Sequence, residues 1–258
     1  MTFAAADAGA GTIAGGGIAL SGLTVAYDRR PAVRDVDGRF APGSLTAVVG
    51  PNGAGKSTLI KAIAGTLAVA AGRIDRGGLA PCHLGYLPQA AEIDRSFPLS
   101  VGDTVLLGAW RRTGALGGVD AATAQEARNA LATVGLAGMG RRPVGALSSG
   151  QFQRVLFARL LLQDARVILL DEPFNAIDSR TTGDLLDLLR RWHGQGRTVI
   201  AVLHDLDQVR AVFPDTLLIA REAIAWGPTG AVLTPANLLR AREAAEAWDA
   251  PWSGRTVA

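Results

Sequence analysis

Apolar positions along this chain change period several times, and each change marks an element. Ile18 to Ala26 (IALSGLTVA) alternates like a half-buried strand, and a turn at Asp28-Arg29-Arg30-Pro31 leads to further strand-like pieces up to Val49. Leu45 to Val49 (LTAVV) is a short apolar run of strand character, whereas Leu59 to Leu67 (LIKAIAGTL) has helical spacing. Short apolar pieces and glycines from Arg73 onward predict strands again, ending in Gly85-Tyr86-Leu87-Pro88-Gln89.

Between Phe97 and Leu136 the pattern turns helical. Val101 to Leu107 reads as a helix, Gly114 to Gly118 as a flexible break, and Ala121 to Leu131 as an Ala-rich helix. A second run then alternates: helix Gln151 to Leu162, strand Val167 to Leu170, helix Thr182 to Trp192, strand Thr198 to Leu203, strand Thr216 to Ala220. Strands alternating with helices predict a mainly parallel sheet covered on both faces, with a small β-rich layer before it and a helical insertion within it. Leu238 to Ala247 reads as a short helix without evident chemistry, and no internal repeat is visible.

Composition narrows the class. At 258 residues the chain has ample material for one large domain with a smaller insertion, and 48% hydrophobic against 19% charged residues argues for an ordered globular protein. The net charge of +3 comes from scattered Lys and Arg. Pairs such as Arg29-Arg30, Arg111-Arg112, Arg141-Arg142 and Arg190-Arg191 read as solvated surface, and no nucleic-acid partner is expected. The single Cys82 excludes an internal disulfide and suits a reducing compartment. Ala8 to Tyr27 is uncharged and of spanning length, but its glycines remove helix propensity, so residues 1–17 are expected to be a flexible tail and any membrane role to come through a partner.

Chemistry concentrates at three places. Gly50-Pro51-Asn52-Gly53-Ala54-Gly55-Lys56-Ser57-Thr58 fits the phosphate-binding pattern G-x-x-x-x-G-K-[ST], with a strand before it and a helix after it. Its glycines let backbone N–H groups converge on phosphate oxygens, Lys56 reaches the terminal phosphates, and the Ser57 hydroxyl can ligate Mg2+. Val167 to Leu170 is an apolar run closed by Asp171 and Glu172, the form of a buried parallel strand that ends at its functional edge. Asp171 is placed to hold Mg2+ through its water shell and Glu172 to polarise a water for attack on the γ-phosphate; alone, the two acids could simply cap the next turn. Leu147-Ser148-Ser149-Gly150-Gln151 opens a strongly helical segment, either as a second anion-binding helix start or as an ordinary Ser-capped helix.

With these three motifs in this order, residues 18 to 235 resemble the nucleotide-binding subunits of ATP-binding cassette transporters. The resemblance implies an α/β P-loop NTPase with a RecA-like, mainly parallel sheet, an N-terminal antiparallel β layer and a helical subdomain at about 97–150, followed by a C-terminal tail at 236–258. It implies a homodimer in which each ATP lies between the phosphate loop of one copy and the signature turn Ser148, Ser149, Gly150 and Gln151 of the other. Tyr27 is similar to the aromatic that stacks on adenine, and Gln89 to the glutamine that senses Mg2+ and the γ-phosphate. Asp171 and Glu172 match the magnesium-site acid and the general base. Asp178 matches the loop that links the two sites, and His204 the switch histidine on the γ-phosphate. On this likeness Lys56, Glu172 and His204 are catalytic, Ser57, Gln89 and Asp171 hold the metal, and the cofactors are ATP and Mg2+.

Three residues depart from the family pattern. Ser149 stands where glycine is usual, adding a Cβ and a hydroxyl beside the partner's nucleotide, and Asn175 and Ile177 differ from the commonest residues of the dimer-crossing loop. The stretch Ile93 to Gly108, Phe152-Gln153-Arg154-Val155 and Phe174 are similar to cassettes of manganese and zinc importers. The expected cargo is zinc, then manganese, then iron chelates, carried by separate permease subunits with an extracytoplasmic solute-binding protein. The cassette would lie peripherally on the cytoplasmic face of the membrane. His83, His193 and His204 lie on different segments without ligand spacing, so no metal site of the chain's own is expected. The alternative is a soluble cassette ATPase of assembly, translation or repair, whose usual marks are absent: there is one cassette, no long coiled-coil insertion and no concentrated basic surface. A kinase or GTPase would leave the signature turn and Asp171-Glu172 unexplained.

Overall fold

The computed structural model describes residues 17–28, 30–114 and 117–249; the expected tail at 1–17 therefore lies almost wholly outside the described residues. Nine strands are described: β1 (Ile18–Tyr27), β2 (Arg30–Phe40), β3 (Leu45–Val49), β4 (Ala71–Asp75), β5 (Leu84–Leu87), β6 (Val167–Asp171), β7 (Thr198–Val202), β8 (Asp215–Ala220) and β9 (Glu222–Pro228). The larger sheet runs β5-β6-β7-β3-β8-β9, parallel throughout except for the antiparallel edge pair β8 and β9. A smaller antiparallel sheet runs β2-β1-β4.

Strands β3, β6 and β7 are buried at every position, which is why they read as continuous apolar runs and not as alternating ones. Their side chains still alternate between two cores. Ile168, Leu170, Val199 and Ala201 face one cluster; Val167, Leu169, Ile200 and Val202 face the other. The second cluster holds Ile18, Leu20, Leu23 and Val25 of β1, so the small sheet covers this face together with helix α1 (Lys56–Ala64). The alternation of β1 shifts register between Leu20 and Leu23, where Gly22 takes a left-handed φ of 55°.

Helices α2 (Val101–Leu106), α3 (Trp110–Thr113) and α4 (Ala121–Thr133) come between β5 and the long helix α5 (Ser149–Gln163) in the chain, and α2 and α4 pack on α5 through Val101, Val105, Ala127 and Leu131. Helix α6 (Ser179–Gly194) covers the same face further along with Leu185, Leu188, Leu189 and Trp192. Two short helices, α7 (Leu206–Val212) and α8 (Thr229–Val232), precede α9 (Pro235–Asp249), which lays Ala241 against β8. The short helix expected at Leu238 to Ala247 of the C-terminal tail is thus present, and it begins earlier, at Pro235. Among the described residues no helix is long and apolar enough to cross a membrane.

Boundaries differ from the sequence pattern for local reasons. Helix α1 starts at Lys56 instead of Leu59, because polar residues open it, and stops at Ala64, because Gly65 takes a left-handed φ of 79°. Edge strand β9 and helix α7 were not expected: β9 is only half-buried, and α7 is a single short run capped by the Asp205 carboxylate.

Phe157 joins the helical arm to the sheet. It is fully buried on α5 and stacks on Phe174 with ring centroids 6.3 Å apart. Phe157→Ala should therefore cost about 3–5 kcal/mol in urea unfolding, whereas Phe97→Ala, at a side chain 65% exposed, should stay within about 0.5 kcal/mol of the parent. Equal effects of the two would contradict this packing.

Candidate active site

The segment Gly50 to Thr58 connects β3 to α1 and closes on itself in a shape that two of its glycines require. At Gly50, with φ 156°, a Cβ would lie 2.0 Å from the Ile219 carbonyl oxygen, and at Gly55, with φ 90°, 2.2 Å from that of Ala32. Pro51, Asn52 and Gly53 form the crest, with Asn52 and Gly53 exposed, and Ala54 is buried beneath them and accepts a hydrogen bond from the Arg221 amide at 2.8 Å. Lys56 folds back over the loop: its Nζ donates to the Gly50 and Pro51 carbonyls at 2.9 and 2.8 Å. Burial lowers the Lys56 pKa, while Glu172 and Asp171 act to raise it. The loop thus offers a fixed ammonium and the first-turn N–H groups of a helix, which have no intrahelical partners, to an anion. Thr58 is buried in that first turn.

Beside the loop, the end of β6 meets the start of α1. Ser57 Oγ donates to Asp171 Oδ1 at 2.8 Å and accepts from Gln89 Nε2 at 3.1 Å. Asp171 is completely buried, and its Oδ2 has no hydrogen-bond partner. Burial raises its pKa; the Ser57 hydrogen bond opposes that shift and the Glu172 charge adds to it. A buried carboxylate oxygen without a donor beside a hydroxyl offers hard oxygen ligands of the kind that fit a cation such as Mg2+.

Glu172 follows at the edge of the sheet in a left-handed conformation, φ 49°. His204 Nε2 lies 2.8 Å from its Oε1, and Asn175 Nδ2 donates to its Oε2 at 2.5 Å. The structure therefore brings Lys56, Ser57, Gln89, Asp171, Glu172 and His204 to one edge of the sheet. A carboxylate there can take a proton from a water, and the ammonium and helix start can stabilise charge on a phosphoryl group. Tyr27 ends β1, 47% exposed, within electrostatic reach of Lys61 and Tyr86.

The turn Ser148 to Gln151 is not joined to this cluster. Ser148 and Gln151 exchange hydrogen bonds at 3.2 and 3.1 Å in a complete capping box that starts α5. Ser149 is exposed on its first turn, and Gly150 lies against the 172–178 loop, where a Cβ would approach the Ala176 carbonyl oxygen to 2.4 Å. Asp178 caps α6 by accepting from the Thr181 amide at 3.0 Å, and that bond holds its pKa below the usual carboxylate range. Among the described residues, no hydrogen bond links the turn to the phosphate loop of the same chain.

Two contributors were not legible as such. Gln153, wholly buried, donates to the Pro173 carbonyl at 3.0 Å and ties α5 to the loop after Glu172. Arg221, with φ 63°, braces the phosphate loop through its amide. A polar residue within an apolar helical run, two places after the signature, was a weak signal for the first; nothing in the sequence pattern marked the second.

The raised Asp171 pKa makes a testable statement about pH. Its ionised form costs folding free energy that is absent below the ordinary value of 3.8 and accrues as pH rises through the raised folded-state value. Asp171→Asn should thus melt higher than the parent chain in EDTA at neutral pH, with the gap closing as pH falls toward 4. A lower melting temperature for the variant at neutral pH would contradict the assignment.

Similarity to known proteins identifies the family. The ABC transporter family model matches residues 33–175. The manganese transport system ATP-binding protein MntB of Bacillus subtilis (strain 168) is 39% identical over 225 residues, covering 86% of this chain and 90% of its own length. The zinc transport system ATP-binding protein TroB of Treponema pallidum (strain Nichols) is 38% identical over 231 residues, covering 87% and 86%. A solved structure described as a metal-chelate type ABC transporter in an inward-facing conformation superposes with a TM-score of 0.76 at 28% identity, covering 88% of this chain and 89% of that one. With the phosphate loop, the strand-end acids and the signature turn on one such fold, the chain belongs to the ABC transporter family, as an ATP-binding cassette.

Proposed function

We propose that this chain is the ATP-binding and ATP-hydrolysing subunit of a system that imports a divalent transition-metal ion, zinc or manganese, through a separate membrane permease. Cassettes of this family hydrolyse ATP and work as dimers with permease partners. The observation that carries the catalytic part is the unpartnered buried oxygen of Asp171 beside Ser57, at the head of the phosphate-loop helix and next to the Glu172–His204 pair. The cargo reading is supported by likeness to relatives named for manganese and for zinc over most of the chain, at 39% and 38% identity. Near-equal identity favours neither ion. Zinc is therefore not placed before manganese.

In this reading residues 18–235 form the ATP-binding unit and about 97–150 its helical insertion. Gly50 to Thr58 cradle the phosphates of ATP, with Lys56 on the terminal groups, and Tyr27 stacks on adenine. Ser57, Asp171 and Gln89 would hold Mg2+, which when bound neutralises phosphate charge. Glu172 accepts the proton of the attacking water as its oxygen bonds to the γ-phosphorus and the bond to ADP breaks. His204 keeps the Glu172 carboxylate in place and faces the γ-phosphate. Ser148, Ser149, Gly150 and Gln151 complete the site of a second copy, and Asp178 anchors the loop between the two sites. Catalysis by this set is positioning and charge stabilisation. A solute-binding protein outside the membrane would deliver the ion, and the cassette would sit on the cytoplasmic face.

Metal uptake tests this directly. In cells lacking the chain, uptake of zinc or manganese should fall and return on expression of the parent chain but not of Glu172→Gln, which should still bind ATP and accumulate as a closed dimer. Normal uptake of both ions without the chain would overturn the transport reading in favour of a soluble ATPase, and wild-type turnover by Glu172→Gln would remove Glu172 as the base.

A further inference from the structure

The Glu172 carboxylate is held from both sides, by His204 and by Asn175. His204 takes Oε1; the Asn175 amide takes Oε2, and the Asn175 backbone N–H closes the turn onto the Glu172 carbonyl at 3.3 Å. Glu172 has the left-handed φ of 49°, a conformation that non-glycine residues adopt at a cost. The direction of its side chain therefore depends on what grips it.

The loop that carries Asn175 is itself pinned. Gln153 of α5 donates to the Pro173 carbonyl, Ala176 has φ 60°, and the Ala176 carbonyl oxygen lies so close to Gly150 that no Cβ fits between them. Gly150 belongs to the turn at the start of α5, so the backbone that places Asn175 leans directly on that turn. The Asn175 side chain is exposed, and among the described residues its one hydrogen bond is to Glu172. One amide donor uses one of about four acceptor positions of a carboxylate and leaves room for a water.

We propose that Asn175 is a positioning residue for hydrolysis: its side-chain amide fixes the orientation of the Glu172 carboxylate, and the loop between them passes the seating of the signature turn on to that orientation. The inference rests on the reading of Glu172 as the base. It distinguishes Asn175 from a residue that merely fills space, because a donor is needed at this position and an acceptor is harmful. Aspartate has the shape of asparagine, yet it would set a second carboxylate against Glu172 with no proton to share.

Steady-state ATP hydrolysis by the full chain separates these cases. Asn175→Ala should lower kcat about tenfold with the KM for ATP within about twofold, since only the placement of the base is lost. Asn175→Asp should be slower than Asn175→Ala, and both should melt with the parent. If Asn175→Asp matches the parent, or turns over faster than Asn175→Ala, the donor role is wrong. A rise in KM with unchanged kcat in either variant would likewise overturn it. Glu172→Gln in the same assay keeps the two readings apart: an inactive Glu172→Gln beside a fully active Asn175→Asp removes the role of Asn175 alone, whereas an active Glu172→Gln removes the base on which it rests.

Discussion

The hydrogen bond between Ser57 and Asp171, 2.8 Å long, joins the two halves of the chemistry and organises what surrounds it. One partner opens the helix after the phosphate loop; the other ends a strand 114 residues later. Their meeting depends on the parallel sheet, in which β6 and β3 flank β7, so that the carboxyl ends of all three strands reach the same edge. Asp171 is then buried completely with one oxygen unpartnered, a costly arrangement for a folded chain. Such a cost is expected where a group is kept for chemistry and not for stability.

From that contact the remaining groups follow by short covalent steps. Glu172 is the next residue, turned outward by its left-handed backbone toward His204 at the end of β7. Gln89 arrives from the end of β5, the strand beside β6, and its amide closes on Ser57. Because Gln89 also begins the path into the helical arm, a change at the Ser57–Asp171 contact has a direct covalent route to helices α2 to α5. On the other flank the 172–178 loop leans on Gly150, so the signature turn is mechanically attached to the acids, while among the described residues no hydrogen bond joins it to the phosphate loop of its own chain.

Much of this was legible because a few residue types have few alternatives. A run of four apolar residues ending in two acids, and a glycine-rich turn ending in Lys-Ser, each leave one economical placement, at the carboxyl edge of a buried strand. The strands β3, β6 and β7 were readable as continuous runs for the same reason that they are buried on both faces. Resemblance supplied the roles of Tyr27, Gln89, Asp178 and His204, which no local pattern assigns. What stayed hidden depends on tertiary contact: the bracing of Ala54 by the Arg221 amide, the anchoring of Pro173 by Gln153, and the grip of Asn175 on Glu172 join residues whose spacing carries no period. Strand β9 was missed because a half-buried edge strand needs no strict alternation, and helix α7 because so short a run has little amphipathic signal.

In the proposed function the phosphate loop and the signature turn of one chain serve different ATP molecules. Mixed dimers of two variants, each also carrying Glu172→Gln to hold ATP, test it most directly: one chain carries Lys56→Ala and the other Gly150→Asp. If the sites are shared between copies, the intact loop of the second chain and the intact turn of the first complete one site, and the mixed dimer should occlude one ATP while either variant alone occludes none. A mixed dimer that traps no ATP, with both chains folded and associated, would contradict the account.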